Sequence, residues 1–163
     1  MNYRVGIGYD IHRLAEGYDL HLGGLIIPHH KGTVGHSDGD VLIHSICDAL
    51  LGAVNLRDIG YHFPDSSPDC KDIDSKILLK RTVEMLAEND YSIVNIDSTI
   101  CLEHPKISDS IPAMKEILAT VMGVDVQMIS IKATTSERLG YIGNEEGVAA
   151  YAIAMIEKPD KHA

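Results

Sequence analysis

Residues 36–54 read HSDGDVLIHSICDALLGAV. Ile43, Ile46, Cys47, Leu50 and Val54 recur at the three- and four-residue spacing of one helical face. Asp38 and Asp40 stand just ahead of them as N-cap candidates, because a carboxylate accepts hydrogen bonds from the free N–H groups of a first turn. The spacing predicts a helix over 41–54 that buries this stripe. Upstream, 3–11 (YRVGIGYDI) reads as a strand despite Gly6 and Gly8, and 20–28 (LHLGGLIIP) as a short hairpin turning at Gly23 and Gly24.

Downstream, 55–72 is rich in Gly, Pro, Asp and Ser and reads as a long loop. A loop above about 15 residues inside a compact domain is commonly functional, so a binding role is expected. Asp74 is placed to cap a helix over 75–89 that buries Ile77, Leu78, Val83, Leu86 and Ala87. A strand over 92–103, a helix over 113–123 stopped by Gly123, and a strand over 126–134 follow. Segment 147–158 (GVAAYAIAMIEK) fits either helix or strand, and its alternation suits a strand buried on both faces. No repeat or linker interrupts the pattern, so one domain over 1–163 is expected.

At 163 residues and 45% hydrophobic the chain can bury a real core. A net charge of −10, with 14 scattered Lys and Arg, argues against nucleic-acid binding, which needs clustered cations. No apolar run reaches the roughly 18–20 residues of a membrane span, and the N-terminus lacks the pattern of a signal segment. Cys47, Cys70 and Cys101 are odd in number and widely spaced, which suits a reducing compartment. A soluble cytoplasmic protein with no membrane partner is expected.

Asp10 and His12 lie two residues apart on a predicted strand, so both side chains point to one face while Ile11 is expected in the core. His44, one turn into the helix, is a candidate third ligand, leaving a tetrahedral zinc with one open position. Spacing alone does not join His44 to the other two. Asp48, four residues further on, is the expected hydrogen-bond partner of His44. Gly6-x-Gly8 is not a dinucleotide fingerprint, because Ile11 occupies the third glycine position and no helix follows; the glycines instead allow a close approach to the strand. His29 and His30 are expected to be solvated beside a turn. Residues 132–138 (KATTSER) offer hydroxyls and N–H groups to a phosphate and a carboxylate to a cation, or else form an ordinary Ser/Thr turn.

The motifs GYDIHR, GHSDGDVLIH, DIGYHFPDSS, HPKI and KATTSERLG, in this order and spanning nearly the whole chain, resemble the 2-C-methyl-D-erythritol 2,4-cyclodiphosphate synthase family of non-mevalonate isoprenoid biosynthesis. The resemblance implies two-layer α+β subunits, with helices packed on one face of a mixed sheet, assembled as a homotrimer around a central channel. It implies cyclisation of a cytidine diphosphate substrate with release of CMP. Asp10, His12 and His44 would hold Zn²⁺, and Glu137 would help hold Mg²⁺ or Mn²⁺. His36 and Thr135 would be catalytic, with Ser37 and Asp40 in the same active-site loop as His36. Asp58, Ile59, Gly60, Phe63, Pro64, Asp65, Ser66 and Ser67 would line the sugar region. Leu102, Glu103, His104, Pro105, Lys106, Ala133, Thr134, Ser136 and Tyr141 would serve the nucleotide side. Asn144 stands where the family often has Arg, and Tyr151 where an acidic residue occurs, which removes the obvious phosphate partner of a prenyl diphosphate in the channel. A zinc-dependent nucleotide-diphosphate hydrolase and a non-catalytic nucleotide or metal-binding module are the alternatives.

Overall fold

The computed structural model describes residues 2–64 and 73–159. Seven strands and five helices follow in the order β1 (Asn2–Glu16), β2 (Leu20–Leu22), β3 (Leu25–Ile27), β4 (Lys31–Val34), α1 (Val41–Ala53), α2 (Ile59–His62), α3 (Ser75–Glu88), β5 (Ser92–Cys101), α4 (Ile111–Met122), β6 (Ile129–Thr134), α5 (Gly140–Gly143) and β7 (Gly147–Lys158). The main sheet has the order β4-β1-β7-β5-β6. All its neighbours are antiparallel except β5 and β6, so the sheet is mixed and the architecture α+β. The hairpin of β2 and β3 stands apart.

Strand β1 alternates strictly: Gly6, Gly8, Asp10, His12 and Leu14 face the helices, while Val5, Ile7, Tyr9 and Ile11 face away. Ile11 is therefore exposed, contrary to the expectation that it enters the core. The helix-facing side of β1 is a trough, because Gly6 and Gly8 pair with Ala154 and Ala152 of β7. Helix α1 lies directly in it. A Cβ on Gly6 would stand 1.9 Å from the Ala49 carbonyl oxygen, and one on Gly8 would stand 1.9 Å from that of Ser45. Helix α3 packs on α1, and α4 packs on α3 and on β6. Sandwiched between sheet and α3, α1 buries all but Asp48 and Gly52, far more than one stripe.

Asp40 caps α1 by accepting from Ile43 N at 3.0 Å, and its other oxygen accepts from Gly24 N at 2.7 Å, pinning the hairpin turn to the helix. Asp38 instead serves α3, accepting from Ser75 N at 2.9 Å. The buried face of α3 is Ser75, Leu78, Leu79, Thr82 and Leu86, which leaves the predicted Ile77 and Ala87 exposed. Helix α4 includes Pro112 in its first turn and stops at left-handed Gly123. A 3₁₀ turn, Val126–Met128, precedes β6, so that strand starts later than predicted.

Segment 147–158 is a strand buried along one face, where Val148, Ala150, Ala152, Ala154 and Ile156 point to the helices; on the other face Ala149 is buried but Tyr151 and Ile153 are exposed. They extend the outer apolar face of β1, with Ile7 opposite Ile153 and Tyr9 opposite Tyr151. No helix among the described residues is long and apolar enough to cross a membrane.

Two glycine substitutions should separate trough from helix. Gly8→Ala drives a methyl group into backbone and is expected to cost about 3 kcal/mol. Gly52→Ala meets nothing within 4 Å and should raise stability by about 1 kcal/mol through helix propensity. Urea unfolding midpoints that move in opposite directions would bear this out.

Candidate active site

The close seating of α1 on β1 brings three distant residues together. Asp10 and His12 project from adjacent helix-facing positions of β1, and His44 descends from the first turn of α1. Asp10 Oδ2 lies 2.9 Å from His44 Nδ1 and 3.1 Å from His12 Nε2, and the two imidazole nitrogens are 3.2 Å apart. Ligands of one tetrahedral zinc, with bonds of about 2.0–2.1 Å, stand about 3.3 Å apart, so this triangle fits such a cation. Burial opposes charge on Asp10, but hydrogen bonds from His12 and His44 overcome it and hold the carboxyl well below its usual range. Burial also disfavours a charged His12, yet the Asp10 carboxylate raises its pKa above the ordinary imidazole value. Asp10, His12 and His44 would hold a cation in place of a proton, and the cation would then neutralise Asp10.

The far nitrogens set the tautomers. His12 Nδ1 donates to the Val34 carbonyl at 3.0 Å, so Nε2 is the nitrogen that would offer its lone pair once a cation replaced the hydrogen bond to Asp10. Behind His44 the Ser75 hydroxyl donates to the Asp38 carboxylate in a short hydrogen bond. Its oxygen is then open to accept from His44 Nε2 at 2.9 Å, with Ser37 Oγ at 3.1 Å from the same nitrogen. His44 Nδ1 is thereby the nitrogen turned to the triangle, where it would offer its lone pair once a cation replaced the hydrogen bond to Asp10. The Asp38–Ser75 relay was missed in sequence, where Asp38 read only as a cap, and no local pattern links positions 37 residues apart. Asp48 is not the partner of His44: its carboxylate accepts from Ile59 N at 2.7 Å and so anchors α2 as a wall of the site.

The triangle opens into a cavity of about 230 Å³ lined by Asp10, His12, His36, Ser37, His44, Ile59, Gly60, Phe63, Ile73 and Leu78. Eight of these are sequence-predicted; Ile73 and Leu78 are additions. Asp40 does not join them, because its carboxylate is buried between helix and hairpin, where burial pushes its pKa up against the backbone donors. Asp58 borders the cavity as the cap of α2, accepting from Tyr61 N at 2.9 Å. Pro64 follows Phe63, whereas Asp65, Ser66 and Ser67 lie outside the described residues.

A second cavity, of about 180 Å³, is lined by Leu102, Glu103, Pro105, Lys106, Ile107, Ser108, Ala133, Thr134 and Thr135. The Glu103 carboxylate accepts from Ser136 N at 3.2 Å and Arg138 N at 3.4 Å, shaping the turn after β6. Thr135 Oγ1 donates to Glu137 Oε1 at 3.3 Å. Glu137 belongs to neither of the two three-ligand groups among the described residues. His104 is outside the lining, and Tyr141 meets Tyr9 OH at 3.3 Å on the outer face of the sheet. Across the sheet Ile11 pairs with Ala149, Ala149 with Cys101 and Cys101 with Thr134. The two cavities thus share one end of the sheet, the first over β1 and the second between the ends of β5 and β6.

Residues 3–157 match the model of the YgbB family. The chain belongs to this family. A relative from Bacteroides thetaiotaomicron, 60% identical over 97% of this chain and 99% of its own length, is 2-C-methyl-D-erythritol 2,4-cyclodiphosphate synthase, and so is one from Porphyromonas gingivalis at 57% over 94% and 95%. Among solved structures, the bifunctional IspDF from Campylobacter jejuni superposes with a TM-score of 0.93 at 38% identity, over 98% of this chain and 43% of the other. The CDP complex of IspF from Plasmodium falciparum superposes at 0.85 with 33% identity, over 98% of each chain.

If the Asp38–Ser75 relay orients His44, Ser75→Ala should weaken zinc affinity about 10- to 100-fold with the fold intact. Competition against a chromophoric chelator measures this; an unchanged affinity would show the relay to be incidental.

Proposed function

We infer that this chain is a cyclodiphosphate synthase that converts 4-diphosphocytidyl-2-C-methyl-D-erythritol 2-phosphate to 2-C-methyl-D-erythritol 2,4-cyclodiphosphate with release of CMP, a lyase of the non-mevalonate isoprenoid pathway. The observation that carries this reading is the Asp10–His12–His44 triangle opening into its cavity, in a chain that matches the family from residue 3 to 157. An oxygen of the substrate's own 2-phosphate attacks the β-phosphorus. That P–O bond forms as the bond from the β-phosphorus to the bridging oxygen breaks, and CMP leaves with the bridging oxygen and its electron pair. No water is consumed.

Phosphoryl transfer depends on alignment and on neutralising phosphate oxygens, so the protein needs clamps more than a covalent nucleophile. Asp10, His12 and His44 would hold zinc, and Glu137 would help hold magnesium or manganese, cations that supply the positive charge a chain of net −10 lacks. His36 and Ser37 orient the attacking phosphate at the cavity rim, and Thr135 stabilises the transferring group. Ile59, Gly60 and Phe63 exclude water from the sugar side. Leu102, Pro105 and Ala133 form the apolar bed of the nucleotide, with Lys106 as the cation beside its phosphate.

The active unit is a cytoplasmic homotrimer of single-domain chains, with no nucleic-acid or membrane partner. Two observations support the assembly. Tyr3, Val5, Ile7, Tyr9, Ile11, Tyr151 and Ile153 expose a continuous apolar sheet face, which a threefold contact around a central channel would cover. The metal triangle and the nucleotide cavity are also lined by different strand ends and share no residue, so the cavity of one protomer is free to complete the triangle of its neighbour.

Incubation of the cytidine substrate with zinc- and magnesium-loaded protein in ¹⁸O-water should give equimolar CMP and cyclic diphosphate, both unlabelled by mass spectrometry. Label in the methylerythritol product would identify a hydrolase, and no turnover a binding module. After subunit exchange, mixing Asp10→Ala with Lys106→Ala protein should restore activity towards one quarter to one third of the unsubstituted rate, roughly the share of sites pairing two intact halves. Confirmed exchange without recovery would refute shared sites.

A further inference from the structure

A second group of metal-type ligands lies where the β3–β4 turn meets the turn between α5 and β7. The donor atoms of His29, His30 and Glu145 all lie within 4.8 Å of one another. The His29 side chain is only 9% exposed, and its Nε2 is buried without a hydrogen-bond partner. A buried polar atom without a partner is destabilising, so the site asks for one. Glu145 Oε2, at 3.7 Å, is beyond hydrogen-bond reach but near the spacing of two ligands on one cation. The His30 ring packs edge-on against His29, with centroids 4.3 Å apart.

The carboxylate is held in place from its own backbone. Glu145 adopts a left-handed conformation at φ 54°, and Lys31 Nζ donates to its carbonyl at 2.9 Å, so the charge of Lys31 engages the main chain. Burial and the His30 ring push the His29 pKa below the ordinary imidazole value, against the pull of Glu145. The contact is thus a poor ion pair, and the neutral ring suits a metal.

We propose that His29, His30 and Glu145 form a second divalent-metal site, of the two-imidazole, one-carboxylate class that takes zinc, cobalt or nickel, clipping the β3–β4 turn to the turn before β7. It is separate from the Asp10–His12–His44 triangle and uses none of its residues. Calcium and magnesium, which prefer oxygen ligands, should bind there poorly.

The test is zinc content per chain, measured by inductively coupled plasma mass spectrometry after equilibrium dialysis of the full chain at fixed free Zn²⁺. His29→Ala should carry one equivalent fewer than the unsubstituted protein, and the conservative Glu145→Gln should bind that equivalent at least tenfold more weakly. Both should keep their far-ultraviolet circular dichroism. In Asp10→Ala protein the equivalent should persist. Unchanged zinc binding in both variants overturns the proposal, and so does its disappearance in the Asp10→Ala protein.

Discussion

Helix α1 can lie in van der Waals contact with β1 only because positions 6 and 8 carry no side chain, and because β7 sets alanines beside them. Any larger residue would lift the helix from the sheet. His44 rides on that helix, and Asp10 and His12 continue the same face of the strand beyond the glycines. The height of α1 above β1 is therefore the height of one metal ligand above the other two, and a shift of one ångström would open the triangle. Packing and chemistry share one constraint here.

Charge at this site is compensated in layers. One carboxylate and two imidazoles gather under partial burial, an arrangement whose desolvation cost needs both mutual hydrogen bonding and a cation to offset it. Outside them, the Val34 carbonyl and the Ser75–Asp38 pair hold each ring in the tautomer that turns its lone pair inward. The N-terminus of α3 thus has two tasks: Ser75 starts the helix and orients His44, while Asp38 reaches back from the loop before α1 to satisfy it. Asp40, two residues later, is given over to structure, which is why the two aspartates of SDGD have such different surroundings.

The outer face of the sheet follows an inverse logic. The same strand that spends its helix-facing positions on glycine, aspartate and histidine carries Val5, Ile7, Tyr9 and Ile11 on the other side, and β7 adds Tyr151 and Ile153. A single chain leaves this surface in water, and only association removes it. In the proposed trimer, the strand that carries Asp10 and His12 would also supply the contact between copies.

Much of this was legible in the order of residues. Period-3.6 and period-2 patterns located the three long helices and most strands but not the one-turn α2 and α5, Gly123 and Pro112 marked the ends of α4, and the DxH pair placed two candidate ligands on one face, because strand periodicity is local and strict. The order of motifs carried the family. Tertiary structure alone decided which face of β1 and β7 is the inside, since the face of β1 that carries Asp10 and His12 is the more polar one and β7 is apolar or small on both; Ile11 and Tyr151 fell on the outside for that reason. It alone joined His44 to Asp10 and His12, gave His44 the Asp38–Ser75 relay in place of Asp48, and buried Asp40 between α1 and the hairpin, outside the cavity lining. It also brought His29 and His30 beside Glu145. Apart from those of Asp40, these are contacts between residues more than 30 positions apart, made by helix seating and loop closure, and no spacing along the chain encodes them.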